Sequence, residues 1–219
     1  MPSASPAAVP LQGLTAHMLS ETVYPIMPGD TVLIHAAASG VGYYLVQLAK
    51  QRGARVIGTT SAAEKAQSVI EAGASHVLLT SNAGWEDTAH QLTNHTGVHV
   101  VYDGVGQATF NQGLRLLRPQ GHMVVYGLAS GPVAPFDINR LSGITGSEER
   151  GSLSLTWANL SDYVARSEDL RWRAAEVFGW ATEGRLRLRI DDSLALSEAS
   201  EAHRRIEART VQGKLLLRP

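Results

Sequence analysis

The stretch TVLIHAAASGVGYYLVQLAKQRGARVIGTT, residues 31–60, runs from an apolar, β-branched segment through three alanines and Ser-Gly-Val-Gly into a helical pattern, then out into a second β-branched segment. Val41, Leu45, Leu48 and Ala49 share one helical face, so the stretch reads as strand, helix, strand. Two strands joined through a helix lie parallel, and parallel strands need cover on both faces of their sheet. That requirement constrains everything downstream of it.

The alternation continues. Further strands are predicted over 76–79, 98–103 and 122–126, with helices over 62–72, 85–93 and 108–117. Short apolar strands separated by amphipathic helices imply a doubly wound α/β fold. After Gly127 the rhythm breaks into LASGPVAPFDINRLSGITGSEERG, a loop rich in Gly, Pro and Ser, before a last sheet strand from Ser152 to Thr156. A long helix over 161–182 follows. The tail then supplies an extended RLRLRI over 185–190, a helix over 197–209 and a terminal GKLLLRP. Residues 1–10 read as a flexible lead.

Composition narrows the function classes. Lys plus Arg number 19 against 20 Asp plus Glu, so no global field draws in nucleic acid or an anionic membrane. No apolar run reaches the roughly 18 residues needed to span a bilayer. The absence of cysteine excludes disulfides, thiolate zinc sites and a cysteine nucleophile, and fits a reducing, cytoplasmic setting. The eight histidines are dispersed without metal-ligand spacing, so no metal is expected. Ser39 lacks the Gly-x-Ser-x-Gly context of a hydrolase nucleophile, and no catalytic residue stands out. Asp103 either lines the crevice at the strand ends or hydrogen-bonds the Gly104 to Gly106 turn.

The amides at a helix N-terminus lack intrahelical acceptors and attract phosphate when the side chains around them are small. Ala37-Ala38-Ser39-Gly40-Val41-Gly42 stands where a G-x-G-x-x-G dinucleotide fingerprint would, with Ala37 and Ser39 replacing two glycines. The same string also suits a tight turn without a ligand. Its place in the first strand-helix-strand unit of a doubly wound sheet favours the ligand. After the second strand comes Gly58-Thr59-Thr60-Ser61, then Lys65, where an NAD site would carry a carboxylate. Hydroxyls and a cation fit the extra 2′-phosphate of NADPH, although Lys65 also suits a solvated first turn.

HAAASGVGYYLVQLAKQRGARVIGTTSAAEKAQ, VVYDGVGQATFNQGLRLLRPQGHMVVYG and EAHRRIEARTVQGKLLL together resemble the zinc-independent quinone oxidoreductases of the medium-chain dehydrogenase/reductase superfamily. The resemblance runs from about Leu11 to the C-terminus. It implies a Rossmann-type NADPH-binding domain over 11–184 and a C-terminal remnant of a GroES-like catalytic domain over 185–219. The activity implied is hydride transfer from NADPH to a quinone or activated alkene. By the same resemblance Ala37, Ser39, Gly40, Val41 and Gly42 form the pyrophosphate turn, and Gly58, Thr59, Thr60 and Lys65 meet the adenosine phosphate. Tyr126, Gly127 and Leu128 lie beneath the nicotinamide, and Thr15 is near its ribose. The pattern departs at Thr80, where relatives carry a tyrosine, at Gly104, where the usual Ser-Val-Gly reads Gly-Val-Gly, and at Trp157, where an arginine is common. Members also carry a long segment before LQGLTAH, forming most of the GroES-like domain. Without it the tail strands are expected to lack partners and turnover to be poor. The family's dimers imply a homodimer through the edge strand from Ser152 to Thr156. The alternative is a nucleotide-binding or protein-interaction module without independent turnover.

Overall fold

Successive residues of a strand point to opposite faces, and the central strands of this protein are apolar on both. The structure, a computed structural model, describes residues 6–144, 151–208, 210–211 and 213–219. A 3₁₀ turn at Pro6–Ala8 leads into α1 (Pro10–Met18), which a π-helical turn, Leu19–Val23, prolongs. Then come β1 (Thr31–Ile34), α2 (Gly40–Gln51), β2 (Arg55–Thr60), a 3₁₀ turn at Ala63–Lys65, α3 (Ala66–Ala72), β3 (His76–Leu79) and α4 (Trp85–Leu92). They are followed by β4 (Val98–Asp103), α5 (Phe110–Leu116), β5 (Leu117–Val125), β6 (Ser154–Trp157), α6 (Leu160–Tyr163) and α7 (Ser167–Thr182). The tail holds β7 (Ile190–Ala195), α8 (Ala199–Glu207) and β8 (Lys214–Arg218).

Six parallel strands form one sheet in the order β3-β2-β1-β4-β5-β6. Val32, Ile34, Val56, Val100, Tyr102 and Val124 pack on one face against Leu45, Val46 and Leu48 of α2. Leu33, Ile57, Val101, Met123 and Val125 pack on the other against Trp85, Phe110 and Leu114. This is the doubly wound architecture that the alternation implied. Among the described residues no helix is long and apolar enough to cross a membrane.

Several expectations need correction. The lead is packed where it is described: Ala8 and Val9 are buried, and the Ala8 carbonyl accepts from the Tyr44 hydroxyl at 3.3 Å. β5 starts earlier than its apolar run because the register jumps, Val98 pairing with Leu117 and Val100 with His122. β6 starts at Ser154 because Ser152 takes a left-handed φ of 59°. The single helix over 161–182 is broken after Tyr163, and α7 starts afresh with Glu168 and Asp169 in its first turn, where carboxylates meet the positive end of the dipole. Residues 1–5 of the lead, 145–150 of the long loop and Arg209 at the end of the tail helix lie outside the described residues.

The tail departs most. RLRLRI alternates as expected, with Leu186 buried, but its backbone partner is a side chain of α2. Gln47 accepts from the Arg187 amide at 2.8 Å and donates to the Arg187 carbonyl at 3.2 Å, so residues 185–189 dock on α2 outside any strand, and only Ile190 of the run enters one. The strand forms later, as β7, and pairs in parallel with β8, so the two tail strands are each other's partners.

One buried carboxylate organises the end of β4. Asp103 accepts from the amides of Val105 at 2.7 Å and Gly106 at 3.0 Å and from the Thr109 hydroxyl at 2.9 Å, so it holds the turn rather than opening to the crevice. Asp103→Ala strips all three donors of their acceptor. At roughly 1.5–3 kcal/mol for a hydrogen bond to a charged group, the unfolding free energy should fall by about 3 kcal/mol or more. Urea denaturation followed by circular dichroism measures this, and a loss below about 1 kcal/mol would mean that the turn is held by its other contacts.

Candidate functional site

Between β1 and β4 the strand order reverses, and in open α/β sheets ligands bind beyond the carboxyl ends of the strands at such a point. A cavity of about 510 Å³ opens there. Its first wall is α1, through Leu11, Gln12 and Thr15, and its second is the β1–α2 turn, through Ala36, Ser39, Gly40 and Val41. Gly104, Tyr126, Gly127 and Ala129 line the strand ends, and Trp157, Ala158, Asn159 and Leu160 close the far side.

The turn is built from close approaches. Ala36 has a left-handed φ of 49°, which bends the chain so that the Ser39 amide donates to its carbonyl at 2.8 Å. Ser39 caps α2, its hydroxyl accepting from the Gly42 amide at 3.2 Å. Gly40 and Val41 line the cavity, and their amides precede that of Tyr43, the first to donate within the helix, to the Ser39 carbonyl at 2.8 Å, so they are the donors offered to an anion. A side chain on Gly42 would strike the Ala36 carbonyl oxygen and come within 2.9 Å of the Ala37 Cα. Only glycine keeps the helix this close to the strand it leaves.

The residues expected at the site divide into two groups. Thr15, Ser39, Gly40, Val41, Tyr126 and Gly127 line the cavity together. Ala37 and Gly58 lie beneath it: the Ala37 amide donates to the Thr59 carbonyl at 2.9 Å, and a Cβ on Gly58 would sit 2.9 Å from that of Ala37. The threonine hydroxyls turn toward the protein. That of Thr59 is 3.0 Å from Nδ1 of the buried His35, and that of Thr60 donates to the Ala62 carbonyl at 3.0 Å. Lys65 ends the 3₁₀ turn that follows β2. Leu128 is exposed, and its neighbour Ala129 reaches the cavity instead.

Two groups at the strand ends, the half-buried Tyr126 and the buried His35, are held neutral. Burial, with the charge of Asp103 adding to it, pushes the Tyr126 phenol well above its ordinary value. Burial lowers the pKa of His35 against the opposing charges of Asp103 and Glu86. Among the described residues no group of three or more His, Cys, Asp or Glu could hold a metal ion.

Gln12, Leu11 and the segment Ala158 to Leu160 were not singled out from sequence. Pro10, at the first position of α1, was the available signal for the wall that carries Leu11 and Gln12.

Residues 40–168 match the family described as zinc-binding dehydrogenase. The quinone oxidoreductase of Pseudomonas aeruginosa is 38% identical over 213 residues, covering 97% of this chain and 64% of that protein. The 2-haloacrylate reductase of a Burkholderia species is 34% identical over 213 residues, covering 97% of this chain and 62% of that protein. The crystal structure of Escherichia coli quinone oxidoreductase complexed with NADPH superposes with a TM-score of 0.89 at 36% identity, covering 97% of this chain and 64% of that one. The chain therefore spans less than two thirds of the length of each of these relatives. With the family match over residues 40–168, the chain belongs to the zinc-binding dehydrogenase family, and in fold and sequence it is similar to the quinone oxidoreductases.

Proposed function

We propose that this chain is the NADPH-binding portion of an oxidoreductase that reduces a quinone or an activated alkene. The observation that carries the reading is the capped N-terminus of α2, opening with small residues onto a cavity at the point where the strand order reverses. The relatives described as quinone oxidoreductase, as 2-haloacrylate reductase and as complexed with NADPH support it.

The fit can be judged from the donors. Gly40 and Val41 offer amides to the pyrophosphate, and the absence of a side chain on Gly42 keeps the cradle open. With the Thr59 and Thr60 hydroxyls engaged within the protein, Lys65 is the group assigned to the 2′-phosphate. Thr15, whose hydroxyl donates to the Leu11 carbonyl at 2.7 Å, flanks the nicotinamide end together with Tyr126 and Gly127. NADPH, when bound, supplies the hydride. The chain's own part is orientation and electrostatics, so the lack of a protein nucleophile is no obstacle.

We further propose a homodimer through β6. This strand is outermost in the sheet, Leu155 and Trp157 on it are exposed, and an open strand edge offers a row of amides and carbonyls to a second copy. Pairing about a two-fold axis gives a self-complementary interface.

Calorimetric titration with NADPH and NADH tests the cofactor assignment. NADPH should bind the tighter, and Lys65→Ala should weaken it about tenfold or more while leaving NADH nearly unchanged, as expected for loss of one charge-assisted contact. Equal affinities in the unaltered chain would remove the 2′-phosphate argument.

Gly42→Ala should also weaken NADPH binding about tenfold or more, because displacing the turn misdirects the amides of α2. An unchanged affinity in a variant with native circular dichroism would reduce the turn to a structural element. Loss of NADPH absorbance on adding 1,4-benzoquinone separates an oxidoreductase from a module that binds without turnover.

Light scattering should give twice the chain mass. Arginine at Leu155, placing like charges opposite one another across the two-fold axis, should shift the protein toward monomer. A strictly monomeric unaltered chain would sink the edge-pairing proposal.

A further inference from the structure

The wall of the cavity formed by α1 is fastened on its other side to α7, through a histidine. His17 is fully buried. Its ring stacks on Trp180 with centroids 5.3 Å apart and meets Trp172 edge-on at 5.0 Å. Nδ1 lies 3.0 Å from an Arg173 guanidinium nitrogen, and Nε2 lies 2.6 Å from a Glu176 carboxylate oxygen. A guanidinium only donates and a carboxylate accepts, so Nδ1 carries its lone pair and Nε2 its proton. The imidazole is thereby neutral, in one tautomer.

A second proton, on Nδ1, would have to displace Arg173. That guanidinium is itself anchored, lying 4.7 Å from the centre of the Trp172 ring and donating to the Tyr163 carbonyl at 3.4 Å. The charges around the ring compete. Burial is the largest influence on His17 and lowers its pKa, with Arg173 acting in the same direction, while Glu176 and Glu21 oppose them. Glu21, in the π-helical turn, is paired with Arg52 of α2, and Asp169 of α7 acts on Arg173. Burial and Arg173 prevail even against the short contact to Glu176.

We propose that His17 is a positioning residue for the cofactor cavity: the neutral imidazole pins α1 between α7 and the cavity, and its protonation releases the wall formed by Leu11, Gln12 and Thr15. The mechanical link is short. A side chain on Gly40 would run into the Gln12 carboxamide, so the wall bears directly on the turn that offers its amides. A folded-state pKa below the unfolded value of about 6.5 means that the stabilisation is fully present above that pH and is lost as the pH falls.

The inference rests on the cofactor reading above, and its test separates the two. Calorimetry with acid-stable NADP⁺ compares the unaltered chain with His17→Gln, whose carboxamide accepts from Arg173 and donates to Glu176 without titrating. Affinities should agree near pH 8. Near pH 5.5 the unaltered chain should bind about tenfold more weakly than His17→Gln. The 2′-phosphate titrates near about pH 6 in both proteins, so only their difference counts.

Nitrogen-15 correlation spectra of the unaltered chain should show the Nε2-protonated tautomer, still neutral where a free imidazole is half charged. An ordinary titration near 6.5 would overturn the cage, and a parallel loss of affinity in both proteins would overturn its control of the wall. If neither protein binds NADP⁺ near pH 8, the cofactor reading fails and the wall's role fails with it, while the spectra still decide whether the cage holds.

Discussion

The carbonyl oxygen of Ala36 leaves no space for a side chain on Gly42, and the rest of the site follows from that proximity. Helix α2 can begin only a few residues after β1 because the turn folds back on itself, with Ala36 left-handed and Ser39 serving as cap. The same tightness places Ala37 against Gly58 and hydrogen-bonds its amide to β2, so the first two strands and the helix between them share one packed corner. The ends of β4 and β5 meet this corner from the other side. Asp103 holds the turn after β4 through its carboxylate, and its backbone carbonyl accepts from the Tyr126 amide at 2.9 Å. The cavity lies at the strand ends because each element there stops short.

What could be read from the sequence depended on whether its cause was local. β2, β3 and β4 begin and end with their apolar, β-branched runs, because strands covered on both faces need that composition throughout. The cap and first turn of α2 were legible because small residues and a hydroxyl have a local meaning at a helix start. α1 was not recognised as a helix. It is nine residues long, contains Gly13 and is buried over most of its surface, so no polar stripe marks it.

The tail was misread for another reason. An alternating pattern states that one face is buried without naming the partner, and here the partner is Gln47, 140 residues away in sequence. The site divides along the same line. Gly40, Val41 and Ser39 carry their role in the motif itself. Ala37 and Gly58, part of the same resemblance, turn out to be spacers beneath the cavity, and Gln12 and Leu160 enter only because tertiary packing brings their helices to it.

The bridge from Gln47 to Arg187 has a consequence for how the molecule opens. Gln47 is buried in the helix whose N-terminus faces the cavity, and its carboxamide is satisfied from both sides by one residue of the tail. Peeling the tail away would leave the carboxamide oxygen without its donor in an apolar setting and its nitrogen with only the Tyr43 carbonyl, a penalty that ties release of the tail to loosening of the helix. The Arg187 amide, although it belongs to no helix or strand, should therefore exchange its hydrogen at the slow rate of the sheet core rather than at the rate of surface loops, making residues near it part of the same cooperative unit as α2.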